Sequence, residues 1–306
     1  MKNTQPHRIK TISEYHRFRK MPSPEHPLIS VINLANTVYG QQTESISLVQ
    51  DYYAISVKKH FNAKMKYGQQ PYDFDEGSMA FTAPGQVLRF TPDDHPSSEP
   101  SGWLLLVHPD FLWNTPLAKT IKQYEYFDYS VNEALFLSEK EETTIKEILQ
   151  NIEQEYHANI DKFSQTIIIA QLELLFSYAE RFYQRQFITR KITNHQILDR
   201  LETILTDYIN NRSLVEKGIP TVQFIAESLN VSPNYLSSLL KVLTGQSTQQ
   251  HIHGRLIEKA KERLSTTDLT ISEIAYELGF EHSQSFSRLF KAKTNFSPLD
   301  FRRSFN

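Results

Sequence analysis

Residues 270–298 read TISEIAYELGFEHSQSFSRLFKAKTNFSP, punctuated as two short helices set across a tight turn. Thr270 and Glu273 have capping-box spacing, so the first helix starts at Ile271. Ile271, Ile274, Ala275 and Leu278 recur at the helical period and make one apolar face. Gly279 supplies the backbone freedom that the turn needs. A second helix is expected near Ser283 to Lys293, with Phe286, Leu289 and Phe290 turned inward. Phe286, Phe290, Phe296 and Phe301 together read as core rather than as a platform for stacked bases.

The same grammar occurs about fifty residues upstream, in TVQFIAESLNVSPNYLSSLLKVLTGQS at 221–247. Val222, Ile225, Ala226 and Leu229 form the face of its first helix, which breaks at Asn230-Val231. Ser232 is an N-cap, and Pro233 follows at the first helical position, where a missing N–H costs nothing. Leu236, Leu239, Leu240 and Leu243 face inward, and Gly245 closes the helix. The expectation is a duplicated helix-turn-helix, at about 221–243 and 270–293. Between the copies, STQQHIHGRLIEKAKERLS forms a helix of roughly 18 residues, about 27 Å long. Such a rod can hold two recognition helices about one DNA turn, ~34 Å, apart.

With these motifs in view, the stretch from about Leu198 to Arg303 resembles the DNA-binding domain of the AraC/XylS family of transcription regulators. The pieces that carry the likeness are IAESLNVSPNYLSSLLKVLTGQS, RLIEKAKERLSTTDLTISEIAYELGF and HSQSFSRLFKAKTNFSPLDFR. The resemblance implies double-stranded promoter DNA as partner and a regulator, mostly an activator in this family, that recruits RNA polymerase. It also implies base contacts at Asn234, Ser237 and Ser238 on the first recognition helix. On the second it implies them at Ser283, Gln284, Ser285, Ser287 and Arg288. Chemically, Asn234 and Gln284 suit adenine, and Arg288 suits guanine O6/N7 or a phosphate. Lys241, Lys291 and Lys293 suit phosphates, which fix register without reading sequence. Relatives often carry a long basic or amide side chain where this chain has Ser238.

Upstream, residues 1 to about 135 read as short strands, among them ISVINLAN, YYAISVKK, SMAFTAPGQVLRF and GWLLLVHP. Turn-rich pieces separate them (KYGQQPYDFDEGS and TPDDHPSSEPSG), a pattern that favours a β-sandwich or small barrel. FLWNTPLAKTIKQY is more helical. In order and composition this half resembles the cupin-like sensor domain that often precedes the DNA-binding module. From Ser138 the period becomes helical: Ser138 and Glu141 form a capping box, followed by Ile145, Ile148, Leu149 and Ile152 on one face. A second helix, 164–187, carries Ile167, Ile168, Leu172, Leu175, Phe176 and Ala179 as its main stripe. Ile169 and Leu174 fall outside that stripe. A helix apolar on two sides has two partners, so this pair is expected to dimerise the protein. The short polar TRKITNH at 189–195 reads as a linker. The fold class is therefore α+β with two domains: a cupin-like sensor and dimerisation domain at 1–188, and an all-α double helix-turn-helix domain at 189–306.

Composition narrows the chemistry. The chain has no cysteine, which removes disulfides, thiolate metal sites and thiol redox sensing. His60, His95 and His108 lack the spacing of a cupin metal site, and His251-x-His253 point apart on a helix. TAPGQ at 82–86 is a turn with too few glycines for a phosphate loop. Trp103 and His108 fall on opposite faces of a regular strand. No catalytic residue, metal or cofactor is expected, and no residue of an effector pocket stands out. The net charge is −2. It divides into 15 Lys+Arg against 12 Asp+Glu over 189–306 and 18 against 23 over 1–188, or +3 and −5. MKNTQPHRIKTISEYHRF lacks the apolar core of a signal peptide, and no run suits a membrane span, so a cytoplasmic homodimer is expected. The alternatives are a ligand-independent regulator, controlled by its abundance or by a protein partner, and a cupin-type enzyme fused to a DNA-binding domain.

Overall fold

The computed structural model describes residues 6–36, 46–59, 77–90, 101–129, 133–158, 161–189, 191–211 and 213–304. His60, His95 and the expected turns at 66–76 and 91–100 lie outside the described residues. The chain divides into two compact units, Met1–Gln186 and Phe187–Asn306.

The first unit is built on two sheets. β1 (His7–Ile9), β3 (Ile46–Gln50) and β6 (Val87–Phe90) form the smaller, in the order β1-β3-β6. The larger has five strands: β2 (Ile29–Asn33), β4 (Tyr53–Lys59), β5 (Gly77–Thr82), β7 (Ser101–Val107) and β8 (Leu135–Leu137), in the order β2-β7-β4-β5-β8. Helix α1 (Ile12–Phe18) lies between β1 and β2 in sequence and starts at a Thr11/Glu14 capping box. Ile12 and Tyr15 of α1 join Ile9 and Leu48 from the small sheet and Ile32, Ala54 and Leu106 from the large one in a single core. Burial of apolar area at about 25 cal/mol per Å² holds the two sheets together here. The expected barrel takes another form: among the described residues there are two separate sheets and no closed barrel.

The other face of the large sheet is covered by helices. After β7 come α2 (Leu117–Thr120) and short 3-10 turns, then β8, α3 (Glu139–Tyr156) and α4 (Ser164–Thr189). The Ser138/Glu141 capping box forms, and Ile145, Ile148, Leu149 and Ile152 are buried beside β2 and β8. Helix α4 is stitched to the sheet by polar bonds: the Gln186 side chain accepts from the Phe136 N–H at 2.8 Å and donates to the Ala134 carbonyl. Arg185 pairs with Glu141 at 2.6 Å, and Tyr126 donates to the Phe176 carbonyl. Two positions on α4 differ from the expected stripe. Ile169 is buried, whereas Ile167 is 43% exposed. The buried face keeps 168, 172, 175, 176 and 179 of the sequence stripe and adds 169, 182 and 183, so it differs from that stripe only at its edge. Trp103 is buried, and His108 sits beyond β7, where its Nδ1 accepts from the Asp110 N–H.

The second unit is all helical. It contains α5 (Lys191–Asn210), α6 (Ser213–Lys217), α7 (Val222–Leu229), α8 (Pro233–Thr244), α9 (Thr248–Thr266), α10 (Ile271–Glu277), α11 (Ser283–Thr294) and α12 (Pro298–Arg303). The expected linker is helical at its described residues: α4 runs to Thr189 and α5 begins at Lys191. Polarity alone does not break a helix when no Gly or Pro interrupts it.

Candidate nucleic-acid interface

The second unit is organised by α9. This 19-residue helix, about 28 Å long, opens at a Ser247/Gln250 capping box. It packs against α5, α8, α10, α11 and α12. Ile252, Leu256, Ile257, Ala260 and Leu264 are its buried face, shared with Leu236 and Leu240 of α8 and with Phe286 and Phe290 of α11. Both recognition helices thus sit on one rod. Arg255 pairs with Glu202 of α5 and with Glu258, while Arg302 donates to the carbonyls of Leu264 and Leu269. These bonds fasten α5 and α12 to the scaffold.

The two copies align in sequence with offsets that differ by one residue between their first and second helices. Recognition helices α8 and α11 are both 12 residues, displaced by fifty, and both end on left-handed residues, Gly245 (φ 73°) and Asn295 (φ 64°). The N-caps of the first helices, Thr221 and Thr270, are displaced by forty-nine. The second turn is therefore one residue longer than the first. It is carried by Gly279 at φ 79°, where a Cβ would stand 2.8 Å from the Leu214 carbonyl oxygen. The first turn bends at Asn230 (φ 58°), an asparagine that tolerates the left-handed region through its short polar side chain.

On α11, Gln284, Arg288 and Lys291 follow at spacings of four and three and are all exposed. They share a face opposite Phe286 and Phe290, both fully buried. Arg288, Lys291, Ala292 and Asn295 line a shallow groove of about 370 Å³. Ser285 is exposed, while Ser283 and Ser287 are half-buried at the flanks of this face. His282, the N-cap of α11, makes no side-chain cap, unlike Ser232, which accepts from the Tyr235 N–H at the start of α8. Asn295, which the sequence reading did not single out, reaches the groove because the left-handed C-cap turns it back along the helix.

The equivalent face of α8 is poorer. Asn234, Ser237 and Ser238 are half-buried, and only Lys241 is fully exposed. The Ser237 hydroxyl lies 3.1 Å from that of Thr248, so it helps dock α9. Ser238 occupies the position that Arg288 holds in the second copy. Leu243 is half-buried rather than fully inward. Phe296 departs from the expected core set: it is 57% exposed, whereas Phe301 packs against Phe290 at 5.4 Å. Phe296 lies between the left-handed Asn295 and the Ser297 N-cap, where the helical period no longer sets direction. His251 and His253 both fall below the usual 6.5 because burial disfavours the imidazolium. For His251 the Glu202 charge opposes that and the Arg255 charge adds to it; for His253 the Lys293 charge adds to it. His251 also meets the Thr244 hydroxyl at 2.9 Å.

Comparison with known proteins agrees with this geometry. Residues 225–304 match the family model described as a helix-turn-helix domain. The chain is 37% identical over 99 residues to an HTH-type transcriptional regulator encoded in the 5′ region of cgkA in Pseudoalteromonas carrageenovora, covering 32% of this chain and 57% of that protein. It is 30% identical over 136 residues to the HTH-type transcriptional activator RhaS of Salmonella paratyphi B, covering 44% and 46%. The chain thus spans about half the length of these relatives. Among solved structures, the C-terminal domain of AraT, a response regulator from Geobacillus stearothermophilus, is 33% identical over 35% of this chain and 84% of that domain, with a TM-score of 0.31. The second unit carries a duplicated helix-turn-helix domain. It is similar to the AraC-type DNA-binding domain of a transcriptional regulator from Chromobacterium violaceum, 25% identical over 30% of this chain and 86% of that one, with a TM-score of 0.28.

Proposed function

We propose that this protein is a sequence-specific DNA-binding transcription regulator, with α8 and α11 entering successive major grooves of promoter DNA. The observation that carries this reading is the exposed face of Gln284, Arg288 and Lys291 on a recognition helix fixed to a continuous α9. Arg288 supplies a fork for guanine, Gln284 an amide for adenine, and Lys291 a phosphate contact. The uncapped N-terminus of α11 offers backbone N–H groups to a phosphate. Asn234, Ser237, Ser238 and Lys241 make the weaker half of the reader, and Ser283, Ser285 and Ser287 line the edge of the stronger half. Such a protein acts on cytoplasmic DNA and passes its signal to RNA polymerase, as an activator.

The first unit serves in this scheme as the sensor and dimerisation domain. No helix among the described residues is long and apolar enough to cross a membrane. The exposed apolar residues Phe163, Ile167 and Leu174, with Ala170 between, are spaced four-three-four along the start of α4. That is the a/d seam of a short coiled coil, a surface complementary to itself, so the occupant is α4 of a second copy. Leu174→Lys places a charge in the seam. It is expected to shift the purified protein from dimer to monomer in sedimentation velocity while its circular dichroism stays unchanged. A dimer that survives the substitution refutes pairing through α4.

Footprinting on the DNA upstream of its own and adjacent genes tests the main reading. The expected result is two protected patches per protomer, centred about one helical turn, ~34 Å, apart. Binding no tighter than to scrambled competitor, at moderate salt and with dimer present, would sink it.

A further inference from the structure

Residues 22–28, PSPEHPL, lead from α1 to β2 and are tied down by one chain of buried side chains. His16 of α1 is 7% exposed and Ser30 of β2 is 1% exposed. The His16 Nδ1 meets the Pro22 carbonyl, which can only accept, so Nδ1 carries the proton. Nε2 is then an acceptor, and the Ser30 hydroxyl donates to it at 2.8 Å. Ser30 also meets the hydroxyl of Tyr156, the last residue of α3. The Tyr156 oxygen accepts the N–H groups of Glu25, at 2.7 Å, and His26, so its own proton goes to Ser30. Every bond of this relay points one way. It runs from the N–H groups of Glu25 and His26 through Tyr156, Ser30 and His16 to the Pro22 carbonyl.

Such a relay holds only while His16 is neutral. A proton on Nε2 sets an N–H against the Ser30 O–H. Ser30 must then turn its proton toward Tyr156, whose oxygen is already taken, and the Tyr156 proton loses its acceptor. Buried polar groups left in this way are costly. Burial accordingly holds His16 below the usual 6.5, and its bond to Pro22 offsets part of that. Among the described residues no neighbouring charge adds to the shift. On α1, Glu14 is engaged in the helix cap and Arg17 is exposed. The Glu25 carboxylate pairs with His157 at 2.8 Å, both of them exposed, one turn beyond Glu153 of α3. Past β7, the His108 N–H bonds the Leu28 carbonyl, and its ring lies 3.5 Å from the Asp110 carboxylate. His26 adds a second point of the same sign. Its Nδ1 accepts the Leu28 N–H at 3.1 Å, its ring meets Phe111 edge-on, and burial lowers it too.

We propose that residues 22–28 are a proton-released strap, latched to β2 and α3 by neutral His16 and let go on acidification, so that the first unit responds to pH. The sign follows from the relay. A group held neutral by the fold contributes its full stability above its ordinary titration range and loses it as the pH falls below that range. Opening the strap also frees the last turn of α3, where Tyr156 and His157 hold it, shortly before α4 begins. The regulatory meaning rests on the sensor reading above, but the strap is measured without DNA, so the two readings fail separately.

The chain has no cysteine, so Ser23→Cys in the full-length protein takes a spin label at one exposed place in the strap. A local probe is needed because His251 and His253 shift in the same direction, and melting of the whole chain would mix the two units. The label is expected to gain mobility between about pH 7.5 and about pH 5.5, with a midpoint below 6.5. With His16→Gln, whose amide donates to Pro22 and accepts from Ser30 without titrating, the label is expected to stay immobile throughout. With Tyr156→Phe it is expected to be mobile throughout. A parent label indifferent to pH, a transition that persists in His16→Gln, or a strap still held in Tyr156→Phe overturns the latch. If His16→Gln is mobile at every pH, the ring-nitrogen shifts of His16 in the parent decide. They are expected to show the proton on Nδ1 at the higher pH and a second proton taken up over the interval in which the label loosens. Uptake outside that interval overturns the proposal. Operator binding is untouched by any of these outcomes and stands or falls by the footprint.

Discussion

Replacing Arg288 by Ala should weaken operator binding by about 1–3 kcal/mol, roughly 5- to 150-fold in Kd. The guanidinium is exposed at the centre of the α11 face, and Phe286 and Phe290 on the opposite face hold that helix in place. Removing it therefore costs a DNA contact and little stability. The form of the loss distinguishes two roles. If Arg288 reads guanine, affinity for the operator falls, affinity for scrambled DNA barely changes, and one base pair loses its preference. If it only grips a phosphate, both affinities fall together and the salt slope drops by about one. Lys291→Ala is the internal control and should show the second pattern. An Arg288→Ala protein that binds its operator as well as the parent would remove α11 from the interface.

The asymmetry between the two copies bears on this expectation. Ser238 stands where Arg288 stands, and the Ser237 hydroxyl is turned to Thr248. On the proposed reading, sequence specificity is expected to be concentrated in the second copy, with the first contributing register through Lys241 and a single amide, Asn234. A reader of this kind tolerates changes in one half-site far better than in the other.

How much of this was legible in the sequence depends on what fixes each feature. The second unit was readable because its signals are local. Thr270 and Glu273, Ser232 with Pro233, and Gly245 each act within one turn of helix and need no distant partner. The exposed face of α11 followed from the same periodicity once Phe286 and Phe290 were turned inward. The first unit was less readable because its sheets are assembled from strands far apart in the chain. β1 pairs in parallel with β3 across forty residues, and β8 adds to β5 across more than fifty. No local pattern specifies such pairing, so the division into two sheets could not be read from alternation alone. On α4, periodicity located the buried stripe but not its edges. Those depend on the width of the sheet beneath, which turned Ile169 in and Ile167 out.

The four phenylalanines of the C-terminal segment show the same limit energetically, and they yield the largest stability effect expected here. Phe286 is fully buried and touches Phe280 at 5.5 Å and Phe290 at 5.8 Å. Phe286→Ala empties the centre of the core shared with α9 and should cost about 3–5 kcal/mol. For a unit whose whole stability is on the order of 5–15 kcal/mol, that is a large share. Phe296→Ala, two residues beyond the end of α11 and more than half exposed, should stay within about 0.5 kcal/mol. Hydrogen exchange across 270–303 in the full chain separates them: protection of α10 and α11 should collapse in the first variant and persist in the second. Operator binding should follow protection, lost with Phe286 and kept with Phe296, because the reading face of α11 has no stiffness beyond what its buried face provides. Equal losses in the two variants would mean that Phe296 is covered by DNA or a partner in the working complex. Equal retention would mean that the packing around Phe286 does not hold α11 in place.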